Sequence, residues 1–252
     1  MKKFACIAVA LMLVPCFAHA YVWRAYNDFN WQPGDPSNNV NQFTAPGEGT
    51  ASGELIDYDT GLGLGVNLAV VEAQGQWTRA GGASPFVGTD GYNILEQYAG
   101  GPNNLESTMG DGDQLRIDIS GLDTNLMYNI YIMGVNGNPA YNHRLTDFDL
   151  DSQVGGTGGG DTDHSVGIYS NQGIDHAWIR CGENTTNGYV AGWRNLEPGS
   201  DGLLQVQAMN RTLLGSSRGY VNSMMIEAIP EPTTVALFGL GGLLLMARRK
   251  KK

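Results

Sequence analysis

The chain has 252 residues, 36 of them glycine, with 16% charged residues and a formal net charge of −10. The charge is unevenly placed: all five lysines lie in segments 1–20 and 230–252, and residues 21–229 keep eight arginines against 24 carboxylates, a net charge of −16. Such a segment is repelled by nucleic acid and anionic lipid headgroups, which argues against a nucleic-acid partner, and its one cysteine, Cys181, rules out an intrachain disulfide.

Residues 1–20 read as an export signal in three parts. Lys2 and Lys3 supply the positive start, and Phe4 to Phe17 form an apolar run of fourteen residues. Ala18-His19-Ala20 is a small-x-small site for signal peptidase, so the mature chain is expected to begin at Tyr21. Residues 21–229 then suit one acidic β-rich ectodomain. Its opening is dense in aromatics, with Tyr21, Trp23, Tyr26, Phe29 and Trp31 interleaved with Asn27, Asp28 and Asn30. Ring faces stack on sugar C–H groups while planar polar groups meet the hydroxyls. Trp23, Tyr26 and Trp31 are therefore candidate sugar contacts.

Short alternating segments bounded by turn residues follow along the whole domain. Strands are expected at Val22 to Tyr26, Gly53 to Tyr58, Val66 to Glu72, Leu115 to Ile119, Tyr128 to Ile132, Leu145 to Leu150, Ala177 to Cys181, Gly188 to Trp193, Leu203 to Met209 and Tyr220 to Ala228. About ten strands fit an all-β, two-sheet antiparallel sandwich of jelly-roll type. Within it, Asp147, Asp149 and Asp151 alternate, so a strand would set them on one face with Phe148 and Leu150 toward the core. The glycine run 155–160 follows, then Asp161 and Asp163. Hard oxygen ligands beside such a loop suit a structural calcium ion.

No catalytic constellation emerges. Gly215-Ser216-Ser217-Arg218-Gly219 has the spacing of a hydrolase nucleophile elbow, but a strand pattern follows it and no histidine lies beyond Ser217, so it reads as a turn. His143, His164 and His176 form no close metal pair. A non-catalytic domain, with polysaccharide as its ligand, is the favoured function. A secreted polysaccharide hydrolase and a structural coat or adhesion component are the alternatives.

The end of the chain returns to membrane chemistry. Pro230-Glu231-Pro232 precedes Thr233 to Ala247, fifteen residues without a charge, and Arg248-Arg249-Lys250-Lys251-Lys252 closes the sequence. As a helix the run rises about 22 Å at 1.5 Å per residue, short of the ~30 Å hydrocarbon core. Its flanking cations can snorkel, so a short transmembrane helix with a cytoplasmic basic tip is expected. This order resembles the PEP-CTERM sorting signal of Gram-negative bacteria, carried here by Pro230, Glu231, Pro232, Arg248 and Arg249 over residues 230–252. The resemblance implies transient residence in the inner membrane, processing by an exosortase, and delivery to the cell surface or extracellular polysaccharide matrix.

Two looser resemblances concern the fold. Gly112-Asp113-Gln114-Leu115 through Ser120-Gly121-Leu122-Asp123 to Tyr128-Asn129-Ile130-Tyr131 is similar to strand pairs of galactose-binding-like jelly rolls. Ala25-Tyr26-Asn27-Asp28, Gly53-Glu54-Leu55-Ile56-Asp57, Gly88-Thr89-Asp90-Gly91-Tyr92 and the closing Gly219-Tyr220-Val221-Asn222 to Met225-Ile226-Glu227 resemble segments of other PEP-CTERM ectodomains.

Overall fold

A computed structural model of the chain describes residues 22–29, 39–47, 50–97, 103–107, 113–141, 143–150, 176–212 and 218–230. Fourteen strands lie among them: β1 Trp23–Asp28, β2 Asn41–Gln42, β3 Ser52–Ile56, β4 Gly63–Gln74, β5 Trp77–Gly81, β6 Asn103–Ser107, β7 Gln114–Ser120, β8 Leu126–Met133, β9 Arg144–Leu150, β10 His176–Arg180, β11 Ala191–Leu196, β12 Leu203–Thr212, β13 Tyr220–Val221 and β14 Ser223–Pro230. They form a five-stranded sheet in the order β11-β8-β14-β1-β2, a six-stranded sheet in the order β10-β9-β12-β7-β4-β3, and a three-stranded sheet in the order β13-β6-β5. All pairings are antiparallel except that of β1 with β2.

Alternation builds the core. In β7 the residues Leu115, Ile117 and Ile119 are buried while Gln114, Arg116 and Asp118 are half-exposed. Their neighbours Leu68 and Val70 on β4, and Val206 and Ala208 on β12, turn to the same side. Ile130, Ile132, Met224, Ile226 and Trp193 of the five-stranded sheet belong to the same apolar cluster. Each such aliphatic side chain contributes about 1.5–3 kcal/mol when fully buried, so the two larger sheets are held in a sandwich-like arrangement around one core.

The third sheet departs from the expected two. Tyr220 to Ala228 reads as one strand, but Asn222 divides it. The Asn222 side chain is fully buried and its Oδ1 accepts the Val135 N–H, while its own N–H donates to the Met133 carbonyl at 2.9 Å. Before that break β13 pairs with β6; after it β14 pairs with β8 and β1. The chain changes sheets at one buried amide.

Among the described residues no helix is long and apolar enough to cross a membrane. The expected signal segment 1–20 and the apolar run 233–247 lie outside the described residues.

Candidate functional site

Three loops meet where β8 ends and β11 begins. One runs from Ala83 to Thr89, one follows β8 through Gly137 and Pro139, and one carries the single-turn helix α1, Asn184–Asn187. Asn184 anchors the third. It is fully buried; its Nδ2 donates to the carbonyls of Gly134 at 3.1 Å and Tyr189 at 3.0 Å, and its Oδ1 accepts the Tyr189 N–H at 2.6 Å. Gly188 ends α1 at φ +59°, a conformation that L side chains rarely adopt.

The first loop is stitched to this turn by backbone. Phe86 N–H donates to the Thr185 carbonyl at 2.8 Å, and Gly91 N–H to the Gly188 carbonyl at 2.7 Å. Held this way, Phe86 is 58% and Val87 80% exposed. Between the loops lies a cleft of about 330 Å³, lined by Phe86, Pro139, Glu183, Thr185, Thr186 and Asn187 among others. That volume is at the lower end of the range of small-ligand sites. Two buried polar atoms at its margin have no hydrogen-bond partner among the described residues: Thr185 Oγ1, and the side-chain oxygen of Asn136, next in sequence to lining Gly137. Unpaired buried polar atoms are rare in folded proteins.

A second polar cluster joins the third sheet to β9. Glu106 Oε1 accepts hydrogen bonds from Arg144 Nη1 at 3.2 Å, Arg218 Nη1 at 2.7 Å and the Tyr220 hydroxyl at 2.8 Å. Arg144 also donates to the Tyr220 hydroxyl and lies with its guanidinium 3.5 Å from the Tyr141 ring centre. Burial beside Glu106 pushes the Tyr220 hydroxyl well above the usual phenol range. These contacts cross-link β6, β9 and β13, while Arg144 Nε stays buried with no hydrogen-bond partner among the described residues.

The residues singled out from sequence are distributed differently. Tyr26 is 1% exposed, packed edge-on against Tyr58 with ring centres 4.8 Å apart, so it offers no ring face to a sugar and that assignment is corrected. Trp23 is half-buried with its ring 5.8 Å from Tyr128. Trp31 lies outside the described residues. Asp147 and Asp149 do share a face of β9: Asp147 stands opposite Trp178 and Met209, Asp149 opposite Gln207. Phe148 and Leu150 enter the core as the alternation requires. Asp151, Asp161 and Asp163 lie outside the described residues, and among those described no three His, Cys, Asp or Glu side chains are grouped to hold a metal ion.

The cleft residues were not recognised from sequence. Phe86 and Val87 sit in a stretch without periodicity, and Asn184-Thr185-Thr186 has the form of a glycosylation acceptor, though its asparagine is sealed inside. The signals available were the turn-forming Asn136-Gly137-Asn138-Pro139 and a phenylalanine directly after Ser84-Pro85.

At the opposite end, β14 carries the chain to Pro230, which pairs with Leu126 of β8. Residues 228–251 match the family described as PEP-CTERM protein-sorting motif. The chain carries a PEP-CTERM sorting motif. The motif implies an exported protein, sorted at the membrane of a Gram-negative cell and processed by an exosortase. Of its expected residues, Pro230 closes β14, whereas Glu231, Pro232, Arg248 and Arg249 lie outside the described residues.

No curated protein matches the sequence. In structure the PEP-CTERM chain is similar to TmCBM61 in complex with β-1,4-galactotriose, with a TM-score of 0.29 and 10% identity over 63% of this chain and 86% of that one. It is similar to an exo-β-1,3-galactanase from Phanerochaete chrysosporium with galactose, with a TM-score of 0.26 and 11% identity over 68% of this chain and 32% of that one. A third likeness is to the K1 cleaved adhesin domain of Lys-gingipain from Porphyromonas gingivalis W83, with a TM-score of 0.28 and 10% identity over 65% and 90%.

Proposed function

We propose that this exported protein is a component of the cell surface or extracellular matrix whose β-domain binds polysaccharide in the cleft beside Phe86 without cleaving it. The observation that carries the proposal is the exposed Phe86 ring at a cleft of about 330 Å³ that Glu183, Thr186 and Asn187 also line. An aromatic ring this exposed costs hydration free energy that a stacked sugar face recovers.

The test is a glycan array or polysaccharide pull-down with the full ectodomain. Phe86→Ala is expected to weaken binding about tenfold, equivalent to ~1.4 kcal/mol. Its melting temperature should stay at the wild-type value, because the ring contributes little to the core. Equal binding by both proteins would remove the cleft from the proposal.

A further inference from the structure

The cleft beside Phe86 carries one charge. Among its described lining residues Glu183 alone has an ionisable side chain; the rest are aromatic, neutral polar, glycine or proline. The turn that bears Glu183 is fixed by its backbone. The Glu183 N–H donates to the Arg180 carbonyl at 3.2 Å, and the Glu183 carbonyl accepts the N–H groups of Thr186 at 3.0 Å and Asn187 at 3.2 Å. The buried Asn184 pins the next residue to Gly134 and Tyr189. The Glu183 residue is half-buried, and among the described residues its carboxylate has no ion-pair or hydrogen-bond partner. A fixed turn therefore holds an uncompensated negative charge at a cleft that the exposed Phe86 ring also lines.

A carboxylate and an aromatic face attract the same class of ligand. The carboxylate pairs with a cation directly, and the negative face of a ring draws an ammonium group within about 6 Å of its centre. An acidic sugar would bring a second carboxylate beside Glu183, with no arginine or lysine among the described lining residues to neutralise it, and such like-charge juxtaposition disfavours binding. The field of the domain acts in the same sense. Residues 21–229 carry a net charge of −16, which attracts a polycation and repels a polyanion before contact. We propose that the cleft takes polysaccharide whose sugars bear free amino groups, setting one ammonium against Glu183 and Phe86, and excludes polysaccharide built of uronic acids. Thr186 and Asn187 on the same turn are left to meet the sugar hydroxyls. The proposal rests on reading the cleft as the glycan site.

The experiment is calorimetric titration of the full-length protein, purified in detergent, with tetramers of glucosamine, N-acetylglucosamine and galacturonic acid at about pH 5.5, below the titration of primary amines. Wild type should bind the free-amine tetramer about fivefold tighter than the acetylated one, the size of an exposed charge pair, and should not bind the uronate. The gap should narrow as salt is raised. Glu183→Gln should bring the free-amine and acetylated tetramers to equal affinity, with the melting temperature unchanged because the carboxylate supports no contact in the fold. Glu197→Gln removes the same charge from an exposed position just past Leu196, at the other end of β11, and should keep the preference. Loss of the preference in both variants, or in neither, would assign it to the overall charge of the domain and overturn the proposal. Equal wild-type affinity for all three tetramers overturns it while leaving the cleft as a glycan site. A wild-type protein that binds none of them, and nothing on the glycan array, overturns both readings.

Discussion

At the scale of single residues, Glu106 carries more of the structure than its position suggests. One carboxylate oxygen receives two guanidinium groups and a phenol, drawn from β9, the segment before β13, and β13 itself. Breaking a buried ion pair by removing one partner strands the other charge, which costs about 3–5 kcal/mol. Glu106→Gln keeps the shape and removes the charge. It should therefore lower stability toward urea by about 3 kcal/mol, read from the unfolding midpoint, and more than Arg218→Ala, because Arg218 is largely exposed.

Cys181 gives a prediction in pH at the same scale. Burial raises its thiol from 9.0 to about 11, partly offset by the Thr146 hydroxyl at 3.3 Å. The folded chain thus holds this proton to higher pH than the unfolded chain does. The resulting stability is complete below pH 9 and is lost as pH rises from 9 to 11, a change of about 2–3 kcal/mol. Urea midpoints for wild type should fall more steeply between pH 8 and pH 11 than those of Cys181→Ala. Parallel curves would show that the thiol keeps its ordinary value. That Cys181 forms no intrachain disulfide was legible from its solitude in the sequence; its burial came from the fold. Tyr26 was not legible in the same way, because a tyrosine beside Asn27 and Asp28 fits a binding surface and an edge-on ring contact equally well.

At the scale of elements, periodicity located the regular strands and missed the irregular ones. Leu115, Ile117 and Ile119 announce β7, and Phe148 and Leu150 announce β9, since each strand has one wet face and one buried face. β2 has two residues, and β5 and β6 lack strict alternation, so none of them declares itself. Their partner β13 was absorbed into an unbroken pattern ending at Ala228. What divides it is the hydrogen bonding of Asn222, which depends on Val135 and Met133 far away in sequence. The cleft was illegible for a related reason: its walls come from three stretches that only the closed fold brings together.

The junction of two of those walls is testable. A Cβ on Gly188 would lie 2.2 Å from Thr89 Cβ, and the residue sits at φ +59°. Gly188→Ala must push the 83–89 loop away from α1 and costs about 1–2 kcal/mol for the left-handed backbone alone. The expected outcome is a lower melting temperature together with weaker glycan binding, whereas Phe86→Ala affects binding only. A Gly188→Ala protein that binds as wild type would show that the cleft does not depend on this contact.

At the scale of the whole molecule, the C-terminal sorting motif was the clearest part of the sequence and the proposed cleft the least clear. The basic cluster, the apolar run and Pro230-Glu231-Pro232 act through composition and order, which need no fold to be read. The sandwich was legible as a class because repeated wet-and-dry alternation has few other solutions. Its third sheet was not, since β5, β6 and β13 come from stretches far apart in the sequence that only the closed fold pairs.

β8 links the start of the sorting motif to the proposed cleft. It begins at Leu126, opposite Pro230, and finishes at Met133, just before the loop that carries Pro139 into the cleft. Eight residues of strand span about 25 Å. The domain is therefore polar in the geometric sense: the start of the sorting motif and the proposed cleft lie at opposite ends of one strand. A chain fastened to an envelope through its C-terminus would stand with the Phe86 loop facing away from the cell. Orientation at the surface would then follow from the direction in which one strand runs.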